Sequence, residues 1–174
     1  MKKILVVVDM QKDFIDGVLG TEEAEKIVDK VVEKIVTFDG EVVFTRDTHF
    51  DNYMDTQEGK YLPVPHCNSG SIGWQLQENI AEVKPENAKI FDKSTFGSLE
   101  LACYLSKVNE KEGIEQITFV GVCTDICVIS NAMLAKAYMP EVEIVVDARC
   151  CAGVTPDSHN NALEAMKMCQ IIIN

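Results

Sequence analysis

Ile4-Leu5-Val6-Val7-Val8, with Asp9 directly after it, is the stretch that decides how the rest of the chain is read. Its residues are apolar on successive positions and mostly β-branched, as expected of a strand covered on both faces of a parallel sheet; a half-solvated strand would alternate. A polar segment with Gly17 and Gly20 follows, and then Ala24, Ile27, Val28, Val31, Val32 and Ile35 recur at the spacing of one helix face. Thr21 stands at the N-cap position, with Glu22 and Glu23 in the first turn. This strand-loop-helix unit then repeats. Further strands are expected near Val42 to Thr45, Lys89 to Phe91, Gln116 to Gly121 and Glu143 to Asp147, and a last one at Gln170 to Ile173. Helices are expected in Gly73 to Ile80, Ser98 to Val108, Asp125 to Tyr138 and Asp157 to Cys169. Alternating strands and helices need crossover connections, so the expected fold is α/β: an open, mainly parallel six-stranded sheet with helices on both faces.

The bulk properties agree with one compact unit, residues 1–174 forming a single domain. A hydrophobic share of 47% against 25% charged residues is that of a folded globular chain. Lys plus Arg total 16 against 28 Asp plus Glu, a net charge of −12 that repels phosphate backbones and anionic lipid. Nucleic acid and membrane surfaces are therefore excluded as partners, and a small molecule is expected. No apolar run approaches the roughly 20 residues of a membrane helix. Seven cysteines without framework spacing, and no signal-peptide pattern at the start, read as reduced thiols in the cytoplasm.

Sites in open parallel sheets lie at the carboxyl ends of the strands. Asp9 ends the first strand, where it is either a turn-capping carboxylate or a partly desolvated general base. Lys93 stands in the same relation to the Lys89 to Phe91 strand, and the two opposite charges would hold each other ionised. Gly121-Val122-Cys123-Thr124-Asp125-Ile126-Cys127-Val128 runs from a strand end straight into a helix. With Thr124 or Asp125 as cap, Cys127 falls in the first turn, where the helix dipole and free amides favour a thiolate and can hold an oxyanion. Cys123 competes for the nucleophile role from the strand end, and both thiols can equally be small buried hydrophobes. The long irregular stretch from about Asp47 to Ser71 exceeds ordinary loop length and carries Asp47, His49, Glu58 and His66, a donor set suited to zinc, iron or manganese. The third histidine, His159, is read as a surface residue in the last helix.

Val8-Asp9-Met10-Gln11-Lys12-Asp13-Phe14, Asp47-Thr48-His49, Pro65-His66-Cys67, Asp92-Lys93-Ser94-Thr95-Phe96 and Gly121 to Val128 together resemble the isochorismatase-like cysteine hydrolases, and within them the nicotinamidases. The resemblance spans nearly the whole chain in the expected order. It implies a Rossmann-like three-layer fold and a catalytic triad of Asp9, Lys93 and Cys127, choosing Cys127 over Cys123 as nucleophile. It implies a cis peptide at Val122-Cys123, with the amides of Cys123 and Cys127 forming the oxyanion hole. Alanine is commoner in the family at the position of Cys123, so a thiol there is a departure that adds redox sensitivity. Asp47, His49 and His66 match the family's shared metal ligands; for the fourth, Glu58 fits the glutamate-bearing pattern, while Asp55 sits at the spacing of a third histidine. Glu58 is the expected ligand, zinc the expected metal, with iron or manganese as alternatives. Phe14 resembles the aromatic lining the substrate pocket. The implied partner is a small amide, foremost nicotinamide, and relatives are often homo-oligomers. Rival readings are a related hydrolase of N-carbamoylsarcosine or ureidoacrylate type and, outside enzymes, a metal-binding or thiol redox module.

Overall fold

The computed structural model describes all 174 residues. The strands are β1 (Lys2–Val8), β2 (Glu41–Asp47), β3 (Ile90–Lys93), β4 (Ile114–Val122), β5 (Glu143–Ala152) and β6 (Ile172–Ile173). They form one all-parallel sheet in the order β3-β2-β1-β4-β5-β6. The helices are α1 (Lys12–Ile15), α2 (Glu22–Thr37), α3 (Gln57–Tyr61), α4 (Glu78–Val83), α5 (Leu99–Glu112), α6 (Ile129–Tyr138) and α7 (Pro156–Met168).

β1 is the central strand foreseen from its unbroken apolar run, and Ile4 through Val8 are all 0% exposed. Ile4, Val6 and Val8 join the core beneath α5, α6 and α7, with Leu101, Leu105, Ala132 and Met166. Leu5 and Val7 point the other way, into a core with Ile27, Val28, Val31 and Ile35 of α2. The period of two along the strand thus feeds two separate helix layers. Thr21 caps α2 as expected, its hydroxyl accepting the Ala24 N–H at 3.1 Å.

Several boundaries differ from expectation for local physical reasons. No helix spans Gly73 to Ile80. Gly73 O, Gln75 O and Gln77 N–H bond across to Asp13, Lys12 and Met10, so this backbone is already committed. α4 starts only at Glu78, where the Gln77 side chain accepts the Asn79 and Ile80 amides. The expected closing strand from Gln170 shrinks to Ile172–Ile173 because Gln170 has φ 63 and Ile171 N–H bonds back to Met166 O. β5 outruns its expected end at Asp147: the register steps from Phe119↔Val146 to Gly121↔Cys151, so the residues between bulge outward. The helix expected from Asp125 opens instead with a wider π turn over Thr124–Val128, and α6 follows at Ile129.

The carboxyl ends of β1, β2, β3 and β4 lie side by side, and β1 approaches β4 closely. Gly121 has φ +114, and a Cβ there would sit 2.1 Å from Val8 O. Only glycine meets both demands. Gly121→Ala is therefore expected to lower unfolding stability by roughly 2–4 kcal/mol or to prevent folding. Urea denaturation measures this, and an unchanged midpoint would contradict the close approach.

Candidate active site

Asp9 leaves β1 with φ 49, a left-handed turn that aims its carboxylate across the neighbouring strand ends. It is 0% exposed. Oδ1 accepts the Thr45 hydroxyl at 2.6 Å, and Oδ2 forms an ion pair with Lys93 Nζ at 2.7 Å. The same ammonium reaches Cys127 Sγ at 3.4 Å and Asp47 Oδ1 at 3.5 Å. Lys93 is thus a hub of positive charge between a carboxylate from β1, a carboxylate from β2 and a thiol from the π turn.

Burial raises the Asp9 carboxyl above its ordinary value, and Lys93 opposes this without cancelling it. Burial of Lys93 favours its neutral form, but Asp9, Cys127 and Asp47 together overcome that and keep it firmly protonated. Mutual stabilisation of two ions therefore holds for the lysine, whereas Asp9 keeps a strong affinity for a proton. Cys127 departs from the sequence expectation of a favoured thiolate. Its burial, followed by the nearby Asp9 charge, pushes the thiol well above its usual range, with Lys93 pulling down. The expected side-chain cap is also absent. Thr124 lies 2.7 Å from His159 Nδ1, and Asp125 accepts the Val154 N–H, so neither hydroxyl nor carboxylate is spent on the turn's own amides. Desolvation is the largest influence on the thiol.

Beside this trio the irregular stretch folds back through a 3-10 turn at Tyr53–Asp55 and α3. It brings Asp47, His49, Glu58 and His66 together, one donor atom of each lying within 4.8 Å of all the others. Asp47 Oδ2 is 2.9 Å from His49 Nε2 and 3.4 Å from His66 Nε2, and Glu58 Oε1 is 3.5 and 3.8 Å from the same nitrogens. His66 Nδ1 lies 2.8 Å from Val64 O, which fixes the ring and turns Nε2 inward, as an outer-shell partner does for a metal-bound histidine. Burial disfavours a charge on His49, but Asp47 and Glu58 outweigh it and raise the imidazole to about 9. For Asp47, burial opposes ionisation, yet its bonds to His49 and His66 hold the carboxyl well below the ordinary range. Two imidazoles and two carboxylates that so strongly attract positive charge fit a divalent transition metal. Asp55 is exposed in the 3-10 turn and stands outside the quartet, whereas Glu58 completes it.

Above the trio opens a cavity of about 630 Å³, lined by Phe14, Glu58, His66, Cys123 and Cys127 among others. The Phe14 ring meets His66 edge-on, with centroids 5.4 Å apart. The Val122-Cys123 peptide is cis, as the resemblance implied, and Cys123 is half-buried on the cavity wall with its thiol pushed up to about 12 by burial.

Several supporting residues escaped the sequence reading. The Gln11 amide donates to Asp47 O at 2.8 Å and accepts Asp47 N–H at 2.7 Å, locking the Asp47 backbone. Asp13 accepts the Cys67 N–H at 2.7 Å, anchoring the loop beside His66. Both lie in the Val8 to Phe14 segment, whose dense polarity after a buried strand was the available signal. Asn131 donates to Cys127 O at 2.8 Å and accepts the Ser98 N–H at 2.9 Å. His159 is half-buried and bonded to Thr124, which corrects its reading as a surface residue.

A buried charge cluster at the strand ends of a parallel sheet places the chain among α/β proteins that work from that edge. The isochorismatase domain matches residues 3–174, and the chain belongs to that family. The nicotinamidase/pyrazinamidase of Mycobacterium tuberculosis is 26% identical over 184 residues, spanning 97% of this chain and 96% of that protein. The crystal structure of nicotinamidase/pyrazinamidase PncA from Bacillus subtilis superposes with a TM-score of 0.84 at 27% identity, covering 99% of both chains. The pyrazinamidase of Pyrococcus horikoshii, solved in complex with zinc, gives a TM-score of 0.82 at 29% identity over 100% of this chain and 99% of that one.

Because Lys93 draws the Cys127 thiol down, removing its charge should leave the thiol harder to ionise. Lys93→Met is expected to slow iodoacetamide alkylation of Cys127 at pH 8 by about tenfold or more, one unit of pKa being a factor of ten. Peptide-resolved mass spectrometry measures this, and an unchanged rate in folded variant protein would contradict it.

Proposed function

We propose that residues 1–174 act as one amidohydrolase domain converting nicotinamide and water to nicotinate and ammonia. The observation that carries the reading is the contact of Lys93 with both Asp9 and Cys127, the thiol opening onto a cavity that Asp47, Glu58 and His66 of the quartet also line. An acid-base carboxylate, a thiol and an ammonium in contact supply proton transfer, a nucleophile and charge balance.

Asp9, whose burial gives it a high proton affinity, takes the thiol proton of Cys127 as sulfur attacks the amide carbonyl. The N–H groups of Cys123 and Cys127 receive the developing oxyanion. Asp9 then hands its proton to the departing nitrogen, and ammonia leaves a thioester on Cys127. Asp9 next removes a proton from water, whose oxygen attacks the thioester; the acid departs and the thiol is restored. Throughout, Lys93 keeps Asp9 oriented and offsets the negative charge that builds on sulfur. Phe14 packs against the substrate ring.

Asp47, His49, Glu58 and His66 would hold the metal, zinc being favoured by the zinc complex of the Pyrococcus horikoshii relative, with iron or manganese as the alternatives. When bound, it supplies a Lewis-acid anchor for a ring nitrogen of the substrate. The seven free thiols support a reducing compartment, the cytoplasm, as the place of work. No helix is long and apolar enough to cross a membrane. A dithiol redox module is disfavoured, because adjacent Cys150 and Cys151 enter different cores.

Ammonia release from nicotinamide by metal-loaded protein should be lost in Cys127→Ala. Retained turnover in that variant would overturn the covalent step, and inert wild type would overturn the substrate. Elemental analysis should find about one transition metal ion per chain, as one four-ligand site requires. His66→Ala should lose most of it, and an unchanged metal content would refute the quartet.

A further inference from the structure

The Thr124–Val128 turn that carries Cys127 has no side-chain cap of its own. Its backbone closes on Cys123 O, which accepts the Ile126 N–H at 3.1 Å and the Val128 N–H at 3.0 Å. From the α6 side Asn131 holds Cys127 O. The start of the turn is held from elsewhere, by the segment leading into α7. Thr124 is 0% exposed, and its Oγ1 lies 2.7 Å from His159 Nδ1, the one side chain that partners it. Asp125 accepts the Val154 N–H with both carboxylate oxygens at 3.2 Å.

The α7 end of this link is itself rigid. Thr155 and Ser158 form a reciprocal capping box, and Pro156 begins the helix. Gly153 packs so tightly on His159 that a Cβ there would lie 2.9 Å from its Cα and Cβ. His159 does not line the reaction cavity, so whatever it contributes passes through Thr124.

We infer that His159 is a positioning residue for the reaction: through Thr124 it fixes the π turn so that Cys127 Sγ stays at Lys93 and Asp9. The inference rests on the reading of Cys127 as nucleophile. A turn free to rock about its Cys123 end would swing Sγ away from Lys93, and small misplacements of a reacting atom are costly in rate. The link also ties the turn to α7, which packs on the same face of the sheet as α6, so the sulfur is triangulated by α6, α7 and Lys93.

Four variants test this. His159→Phe keeps the ring and removes the hydrogen bond, His159→Asn keeps a polar atom near the Nδ1 position, Thr124→Val removes the hydroxyl at constant shape, and the fourth combines Thr124→Val with His159→Phe. Ammonia release from nicotinamide, peptide-resolved alkylation of Cys127 and thermal melting are measured on each. His159→Phe and Thr124→Val should each lower kcat by about tenfold with KM changed less than about twofold, the pattern of lost transition-state geometry. His159→Asn should recover most of the loss. The double variant should be no slower than the slower single, because both remove one link. Alkylation should slow in parallel.

Wild-type kcat in His159→Phe, losses that multiply in the double variant, or an Asn variant as slow as Phe would each overturn the inference. If His159→Phe does not fold, Thr124→Val and His159→Asn decide it by the same criteria. If the wild type releases no ammonia, the proposed activity fails separately; the alkylation rates still decide the link, and equal rates in wild type and the folded variants overturn it.

Discussion

One ammonium holds the site together. Lys93 is 5% exposed and faces two buried carboxylates and a buried thiol, all within 3.5 Å. Desolvating a lone ammonium costs several kcal/mol, and the same is true of each carboxylate, so these groups persist inside only as a set. Asp9 comes from β1, Asp47 from β2 and Cys127 from the turn after β4, whose strands are neighbours. Lys93 ends β3 at the edge and must reach past β2 to meet them, which is what a long, unbranched side chain permits. Asp47 serves both groups of residues, its Oδ1 facing Lys93 and its Oδ2 facing His49 and His66. Charge in the trio and charge in the quartet are therefore coupled through one carboxylate.

The frame that allows this is the tight centre of the sheet. Val8 pairs with Thr45 on one side and Gly121 on the other, and the next residue, Asp9, turns left-handed to face both strand ends. The Asp9 N–H is bonded to Thr45 O, so the residue that orients the carboxylate through its hydroxyl also pins its backbone. A side chain at Gly121 would separate β1 from β4 at the point where Asp9 and the Cys127 turn approach each other.

What could be read in the sequence divides along the line between local and distant causes. β1 and α2 were legible because burial on two faces, or on one helical stripe, writes itself directly into residue order. The segment from Gly73 to Gln77 was not. Its pattern tolerates a helix, and what prevents one is hydrogen bonding to Met10, Lys12 and Asp13, far away in the chain. β5 looked finished at Asp147 because the bulge takes Asp147 to Cys150 out of register with β4, after which the pairing resumes. The positions of Asp9, Lys93 and Cys127 at strand ends followed from pattern alone; the choice of Cys127 over Cys123, and of Glu58 over Asp55, came from motif resemblance. His159 carried no local sign of its contact, since Thr124 lies 35 residues earlier.

Cys150 and Cys151 are consecutive, yet strand pleating sends Cys150 toward the α2 side and Cys151 toward the α5, α6 and α7 side. Sequence neighbours are thereby separated by the full thickness of the sheet. Each thiol becomes reachable only when its own layer loosens. Thiol labelling of the two residues would therefore read the opening of each face of the sheet separately, from positions one residue apart.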